Sequence, residues 1–248
     1  MVRGIPATKA ARLVADEDPV ALQGPPPRFV SRGGEKLDAA LDRFGVDVAG
    51  RIALDAGAST GGFTDCLLQR GAARVVAVDV GRGQLDLRLR NDERVTVRER
   101  TNVRHLSLSD LGPGTGPFDL LVADLAFISL RTVAPALLGL AGPGADLVLL
   151  VKPQFEAGRT EAAKERGVIR DPEVWTATLT GVLAAFAERG AAIMGAMVSP
   201  LLGAEGNVEF LAHVVAGGGR ASGGRASGDV PGMVAAAVDE AVARRTER

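Results

Sequence analysis

The chain has 248 residues, is 46% hydrophobic and 24% charged, carries a net charge of −1 and contains one cysteine, Cys66. A chain of this size can bury a sheet covered on both faces. A single cysteine excludes an intramolecular disulfide and points to a reducing, cytoplasmic compartment. Near-neutral charge offers no global case for nucleic acid, and 4% aromatic residues argue against a binder that stacks bases on many exposed rings.

Residues 1–30 hold one short helical pattern around Ala7–Ala15, an acidic patch and the breaker Gly24-Pro25-Pro26-Pro27, which continues neither helix nor central strand. No signal-peptide core is present, and the apolar runs are strand-length, so no membrane partner is expected. From residue 31 to about 215, apolar runs alternate with helical spacing. The predicted strands are Ile52–Ala56, Val75–Asp79, Val95–Arg98, Leu120–Asp124, Leu147–Lys152, Ile193–Val198 and Glu209–Val214. Helical spacing lies between the early ones, at Phe63–Arg70 and Val133–Leu140.

Strands alternating with helices imply an α/β, doubly wound sheet. A long loop, not a helix, joins the last two strands, which suits antiparallel pairing near the sheet edge. Residues 216–230 repeat GGRAS and read as a flexible linker. Residues 231–248 then form a terminal helix, predicted as Pro231–Arg244. The expected organisation is an N-terminal appendage (1–30), one folded domain (31–215), the linker and the helix.

The strongest local pattern is LDAGASTGGFTDCLLQRG: a strand ending at Asp55, a turn rich in glycine (Gly57, Gly61, Gly62) and a helix opening at Phe63. Glycines let a ligand approach the backbone, and the switch point of a doubly wound sheet is where such ligands bind. Asp79 follows Gly57 by 22 residues, at a strand end where a carboxylate can accept both hydroxyls of a ribose. The spacing fails the G-x-G-x-x-G dinucleotide pattern. It resembles instead the S-adenosylmethionine site of class I methyltransferases.

Four ionisable residues stand at strand ends or beside this mouth: Asp124 in VADLAFIS, Lys152 in LLVKPQFE, Glu209 in GNVEF and Lys36 in SRGGEKL. A lysine and an aspartate that terminate apolar strands are paired or functional. Between Arg70 and Arg104 there are also nine arginines against five acids. Charge alone divides evenly there between a solvated face and an RNA-binding one.

The strings SRGG, LDAGASTGGFT, VDVGRGQL, RNDERV, ERTNVR, DLAFISL, LVKPQFE and SPLLGAEGNVEF resemble the TlyA family of ribosomal-RNA 2′-O-methyltransferases, whose catalytic domain is of the FtsJ type. The resemblance spans residues 31–210. It implies a seven-stranded class I, Rossmann-like methyltransferase fold with one antiparallel strand in the edge region. It implies a Lys36–Asp124–Lys152–Glu209 catalytic tetrad, with cytidine ribose in ribosomal RNA as substrate and the ribosomal subunit as partner. S-adenosylmethionine is then held by Asp55, Gly57, Ala58, Ser59 and Thr60, by Gly61, Gly62 and Phe63, and by Asp79, Val80, Thr101, Asn102 and Asp124. Residues 1–30 match only a remnant of the family's S4 RNA-binding domain. The loop EAGRTEAAKERGV departs from the family's glycine-rich pattern.

No metal is expected. His105 and His213 lack partners at metal-ligand spacing, Cys66 reads as packing, and neither Ser59 nor Ser129 has a histidine spaced to activate it. Trp175 follows a helix start and is expected to anchor that helix. A methyltransferase for a small-molecule hydroxyl and a non-enzymatic, haemolysin-like protein are the alternatives. Without a strongly amphipathic basic segment, the second has little support.

Overall fold

The computed structural model describes residues 2–7, 13–21, 26–112, 115–158, 167–217 and 229–246. Seven strands form one sheet: β1 (Ile52–Ala56), β2 (Arg74–Val78), β3 (Val95–Arg98), β4 (Phe118–Ala123), β5 (Ala141–Val151), β6 (Ala192–Val198) and β7 (Phe210–Val215). Their order is β3-β2-β1-β4-β5-β7-β6. The first five are mutually parallel, and β7 runs antiparallel to both neighbours, β5 and β6. The order turns back between β1 and β4, which is the switch point where a crevice opens at the strand ends.

Both faces of the sheet are covered. On one lie α1 (Gly33–Phe44) and α2 (Gly62–Gln69), whose Leu37, Leu41, Phe63 and Leu67 pack on Ala53, Leu120 and Val148. On the other lie α4 (Leu130–Leu140), α6 (Pro172–Ala187) and α7 (Val230–Thr246), which bury Val133, Leu137, Trp175, Leu179 and Val238 against Leu121 and Leu149. Each such fully buried leucine contributes about 1.5–3 kcal/mol. Two single turns, α3 (Leu87–Arg90) and α5 (Pro153–Glu156), follow β2 and β5. Among the described residues, no helix is long and apolar enough to cross a membrane.

The largest departure from the predicted elements is β5, which starts at Ala141 and not at Leu147. Ala141 pairs with Phe118 before the register shifts to Leu120 opposite Asp146. The Gly142-Pro143-Gly144 stretch, which reads as punctuation, is taken up by that irregularity. The terminal helix starts at Val230 and joins the same core as α4 and α6, through Val234, Ala237, Val238 and Ala241. Most of the helix expected at Ala7–Ala15, the Gly/Ser repeat and most of the EAGRTEAAKERGV loop lie outside the described residues.

At the far end of the sheet, Asp146 accepts from Arg51 at 2.5 Å and lies 2.7 Å from His213 Nε2. Burial opposes its charge, but the bonds to His213 and Arg51 win and hold the carboxyl below its ordinary value. His213 is buried and stacks on Phe44 at 5.4 Å, so it serves packing. Trp175 is fully buried, and its indole N–H donates to Ile169 O at 3.1 Å.

Candidate active site

The loop after β1 is shaped by its neighbours. Gly57 has φ +86, and a Cβ there would lie 2.4 Å from the backbone oxygen of Asp124. Only glycine lets the β1 and β4 loops meet this closely. The backbone N–H groups of Gly57 and Ala58 both donate to Val78 O, at 2.8 and 3.1 Å, which ties the turn to β2. Gly62 abuts α1: a Cβ would stand 2.2 Å from Ser31 Oγ and 2.9 Å from Gly34 N. That closeness lets α1 lay Lys36 beside the loop.

Two cavities flank it. The larger, about 620 Å³, runs from Asp79, Val80, Thr101 and Asn102 to the segment 124–128. The smaller, about 370 Å³, lies between Ser31, Arg32, Gly33 and Lys36 on one side and Thr60, Gly62 and Phe63 on the other. Gly57, Ser59 and Asp124 line both, so the two spaces adjoin at the end of β4. Asp79 is held in place: its carboxylate accepts from Ser59 N–H at 2.8 Å and Gly81 N–H at 2.7 Å. Fixed in this way, it can still receive hydroxyl donors from inside the cavity.

Asp55 and Gly61 line neither cavity. Asp55 is fully buried and accepts from Thr64 Oγ1 at 2.6 Å, and its Oδ1 has no partner among the described residues. Burial pushes its carboxyl up to about 7; the charges of Asp124 and Asp79 add to the rise, and the bonds from Thr64 oppose it. Gly61 (φ +98) gives room for Leu89 and Leu85, whose methyl carbons would lie 2.2 and 2.8 Å from a Cβ. Both residues support the loop from beneath.

The four residues of the tetrad form two ion pairs. Lys36 Nζ lies 2.5 Å from Glu209 Oε2, and both residues are buried. Lys152 Nζ lies 2.5 Å from Asp124 Oδ1, with side chains 14% and 25% exposed. The topology explains the convergence. Asp124 and Lys152 directly follow the parallel strands β4 and β5, and Glu209 directly precedes the antiparallel β7, so all three stand at the same end of the sheet. Lys36 reaches them from α1. Lys36 and Asp124 line the smaller cavity; Lys152 and Glu209 line neither, and each meets the site across its ion pair.

Sequence reasoning did not single out two residues that border the larger cavity. Arg104 and Phe127 line the larger cavity; Phe127 has φ +64, is 91% exposed, and its ring lies tilted against that of Phe155 at 5.2 Å. Phe127 stands within DLAFISL, a string that marks the region but not which side chain is presented. The arginine-rich stretch divides: Arg70, Arg88, Arg90 and Arg94 are ion-paired to nearby aspartates or glutamates, whereas Arg104 borders the cavity. No group of three or more potential metal ligands occurs among the described residues.

Residues 29–215 match the family model of FtsJ-like methyltransferases. The chain is 50% identical over 210 residues to the 16S/23S rRNA (cytidine-2′-O)-methyltransferase TlyA of Mycobacterium tuberculosis, covering 84% of this chain and 77% of that protein. It is 39% identical to Hemolysin A of Brachyspira hyodysenteriae, covering 86% and 88%. A solved structure from Streptococcus thermophilus that carries a provisional hemolysin label superposes with a TM-score of 0.79 at 38% identity, covering 93% of this chain and 82% of that one.

Proposed function

The chain belongs to the family of FtsJ-like methyltransferases, and from that premise we propose that it methylates the 2′-hydroxyl of a cytidine ribose in ribosomal RNA, with S-adenosylmethionine as methyl donor. The observation that carries the reading is the meeting of two cavities at Asp124, one walled by the ribose-accepting Asp79 and the other by Lys36. The residues present fit the donor: a fixed carboxylate for its ribose, and a glycine turn that admits it close to the backbone. When bound, S-adenosylmethionine supplies a methyl group that is already electrophilic on its sulfonium.

The protein then has two tasks. It must align the weakly acidic ribose hydroxyl, and it must accommodate the proton that leaves. Alignment alone is worth roughly 7–11 kcal/mol when it is near ideal. Lys152 Nζ, paired with the Asp124 carboxylate that lines both cavities, is the group assigned to hold the hydroxyl. Taking up the hydroxyl's proton requires a neutral amine at the moment of transfer, and the 2.5 Å contact with Asp124 Oδ1 fixes where that nitrogen sits. The buried bond to Glu209 holds Lys36 at the wall of the smaller cavity, which Asp124 also lines. Arg104 and the exposed ring of Phe127 offer a phosphate contact and a stacking face to RNA. On this reading the protein works without a metal and without a membrane, in the cytoplasm.

The test is transfer of labelled methyl from S-adenosylmethionine to purified ribosomal subunits, with the modified nucleotides mapped in the presence and absence of the protein. Ribose methylation at a defined cytidine, lost in Lys152→Ala, is expected. Transfer to a metabolite extract but not to subunits would assign the small-molecule reading, and a Lys152→Ala variant with wild-type rate would remove Lys152 from the mechanism.

A further inference from the structure

We propose that Glu156 is a positioning residue for methyl transfer: its buried carboxylate latches the loop after β4 onto the turn after β5 and so fixes one wall of the larger cavity. The inference rests on the reading of that cavity as the S-adenosylmethionine pocket.

Glu156 closes α5 and is 4% exposed. Its Oε2 accepts from Ser129 Oγ at 2.5 Å and its Oε1 from the Leu130 backbone N–H at 2.6 Å. Its own carbonyl accepts from Arg131 Nη2 at 2.7 Å, and Arg131 Nε stands 3.5 Å from Oε2. A buried carboxylate is unfavourable unless its oxygens are engaged; here the N-terminus of α4 supplies both the donors and the positive end of its dipole. Helix capping alone does not account for the arrangement. Ser129 already caps α4, its Oγ accepting from Arg131 N–H at 3.1 Å. The carboxylate is an additional fastening, and it comes from a different segment.

The same two segments are joined once more, by Asp124 and Lys152. Residues 125–128 therefore span between two anchors, and Leu125, Ala126, Phe127 and Ile128 all line the cavity. A left-handed, non-glycine backbone with an exposed ring, as at Phe127, persists only where its surroundings hold it. Glu156 is the anchor at the α4 end of this span.

The experiment compares full-length wild type with Glu156→Gln, Glu156→Ala, Ser129→Ala and the Ser129→Ala/Glu156→Ala double variant. It reads S-adenosylhomocysteine affinity by calorimetry, kcat and KM for methyl transfer to ribosomal subunits, and the thermal midpoint. Loss of a buried bond to a charged group predicts about a tenfold or greater weakening of S-adenosylhomocysteine binding in Glu156→Ala. Glu156→Gln retains one acceptor for Leu130 and recovers part of it. The double variant is no weaker than Glu156→Ala, because both changes break one fastening. Wild-type affinity and kinetics in the folded fraction of both Glu156 variants, or additive effects with Ser129→Ala, would overturn the proposal. If Glu156→Ala does not fold, Glu156→Gln and Ser129→Ala carry the same comparison. Should wild type bind S-adenosylhomocysteine but methylate no subunit, the RNA reading fails and the affinities still decide the role of Glu156. Should wild type bind no S-adenosylhomocysteine, both fall.

Discussion

Lys36 and Glu209 are separated by 173 positions in the chain, yet Lys36 Nζ lies 2.5 Å from Glu209 Oε2 in a buried pair. Their contact ties α1, ahead of the first strand, to the lead into the last one. Removing one partner strands a charge that water cannot reach. Lys36→Ala or Glu209→Ala is expected to cost about 3–5 kcal/mol of stability and to abolish methyl transfer. The apolar double variant Lys36→Met/Glu209→Leu should regain most of the stability and none of the activity. Denaturant unfolding beside a transfer assay separates the two effects.

Gly203 leaves the space that the Glu209 carboxylate occupies: a Cβ there would stand 2.1 Å from Oε1. Gly203→Ala should displace the carboxylate from Lys36 and slow transfer by roughly 10²-fold, as for a misplacement of about 1 Å. S-adenosylhomocysteine affinity should change little, because Gly203 lines neither cavity. A variant with unchanged kcat would show that Glu209 has freedom the structure does not display.

The buried Asp55 makes stability depend on pH. Its carboxyl is raised from 3.8 to about 7 in the folded state. The protonated form is the one the fold favours, so its contribution is complete below about 3.8 and is lost as pH rises to about 7. The difference amounts to about 4 kcal/mol. Asp55→Asn should flatten this part of the profile, so that unfolding free energies at about pH 5 and about pH 8 lie closer together than in wild type. Equal pH slopes in the two proteins would mean that Asp55 is ionised throughout.

Cys66 is buried inside α2, and burial pushes its thiol up to about 12. The thiolate is the reactive form. Ellman's reagent at about pH 8 should leave the native protein untouched and titrate one thiol after denaturation. Fast labelling of the native state would reveal an opening of α2.

Much of this fold is legible in the sequence: buried parallel strands such as β2 and the end of β5 read as continuous apolar runs, and β1 and the partly exposed edge strand β3 keep their predicted limits. The boundary at β5 is not, since glycine and proline signal a break whether the chain turns or only shifts register. For the site, Asp124 and Lys152 stand out because a charge ends an apolar run. Lys36 and Glu209 carry no such mark: what defines them is each other, and no local pattern encodes a contact across the whole domain. Asp55 illustrates the reverse case. Its motif reads as ligand-binding, yet the side chain turns under the loop, where only three-dimensional packing reveals it. The roles of Phe127 and Glu156 likewise depend on which segments the sheet brings side by side.

The place of β7 bears on how the protein is made. It is the last strand of the sheet to be synthesised but lies inside it, pairing with β6 and covering the open side of β5. At translation speeds of about 5–20 residues per second, the stretch from the end of β5 to the start of β7 takes roughly 3–12 s. Throughout that interval the nascent chain displays an unpaired apolar edge at Leu147–Val151, and such edges invite association with other chains. The growing polypeptide is therefore open to association from the completion of β5 until β7 emerges, and a chaperone that shields β5 until Phe210 appears would act within that interval.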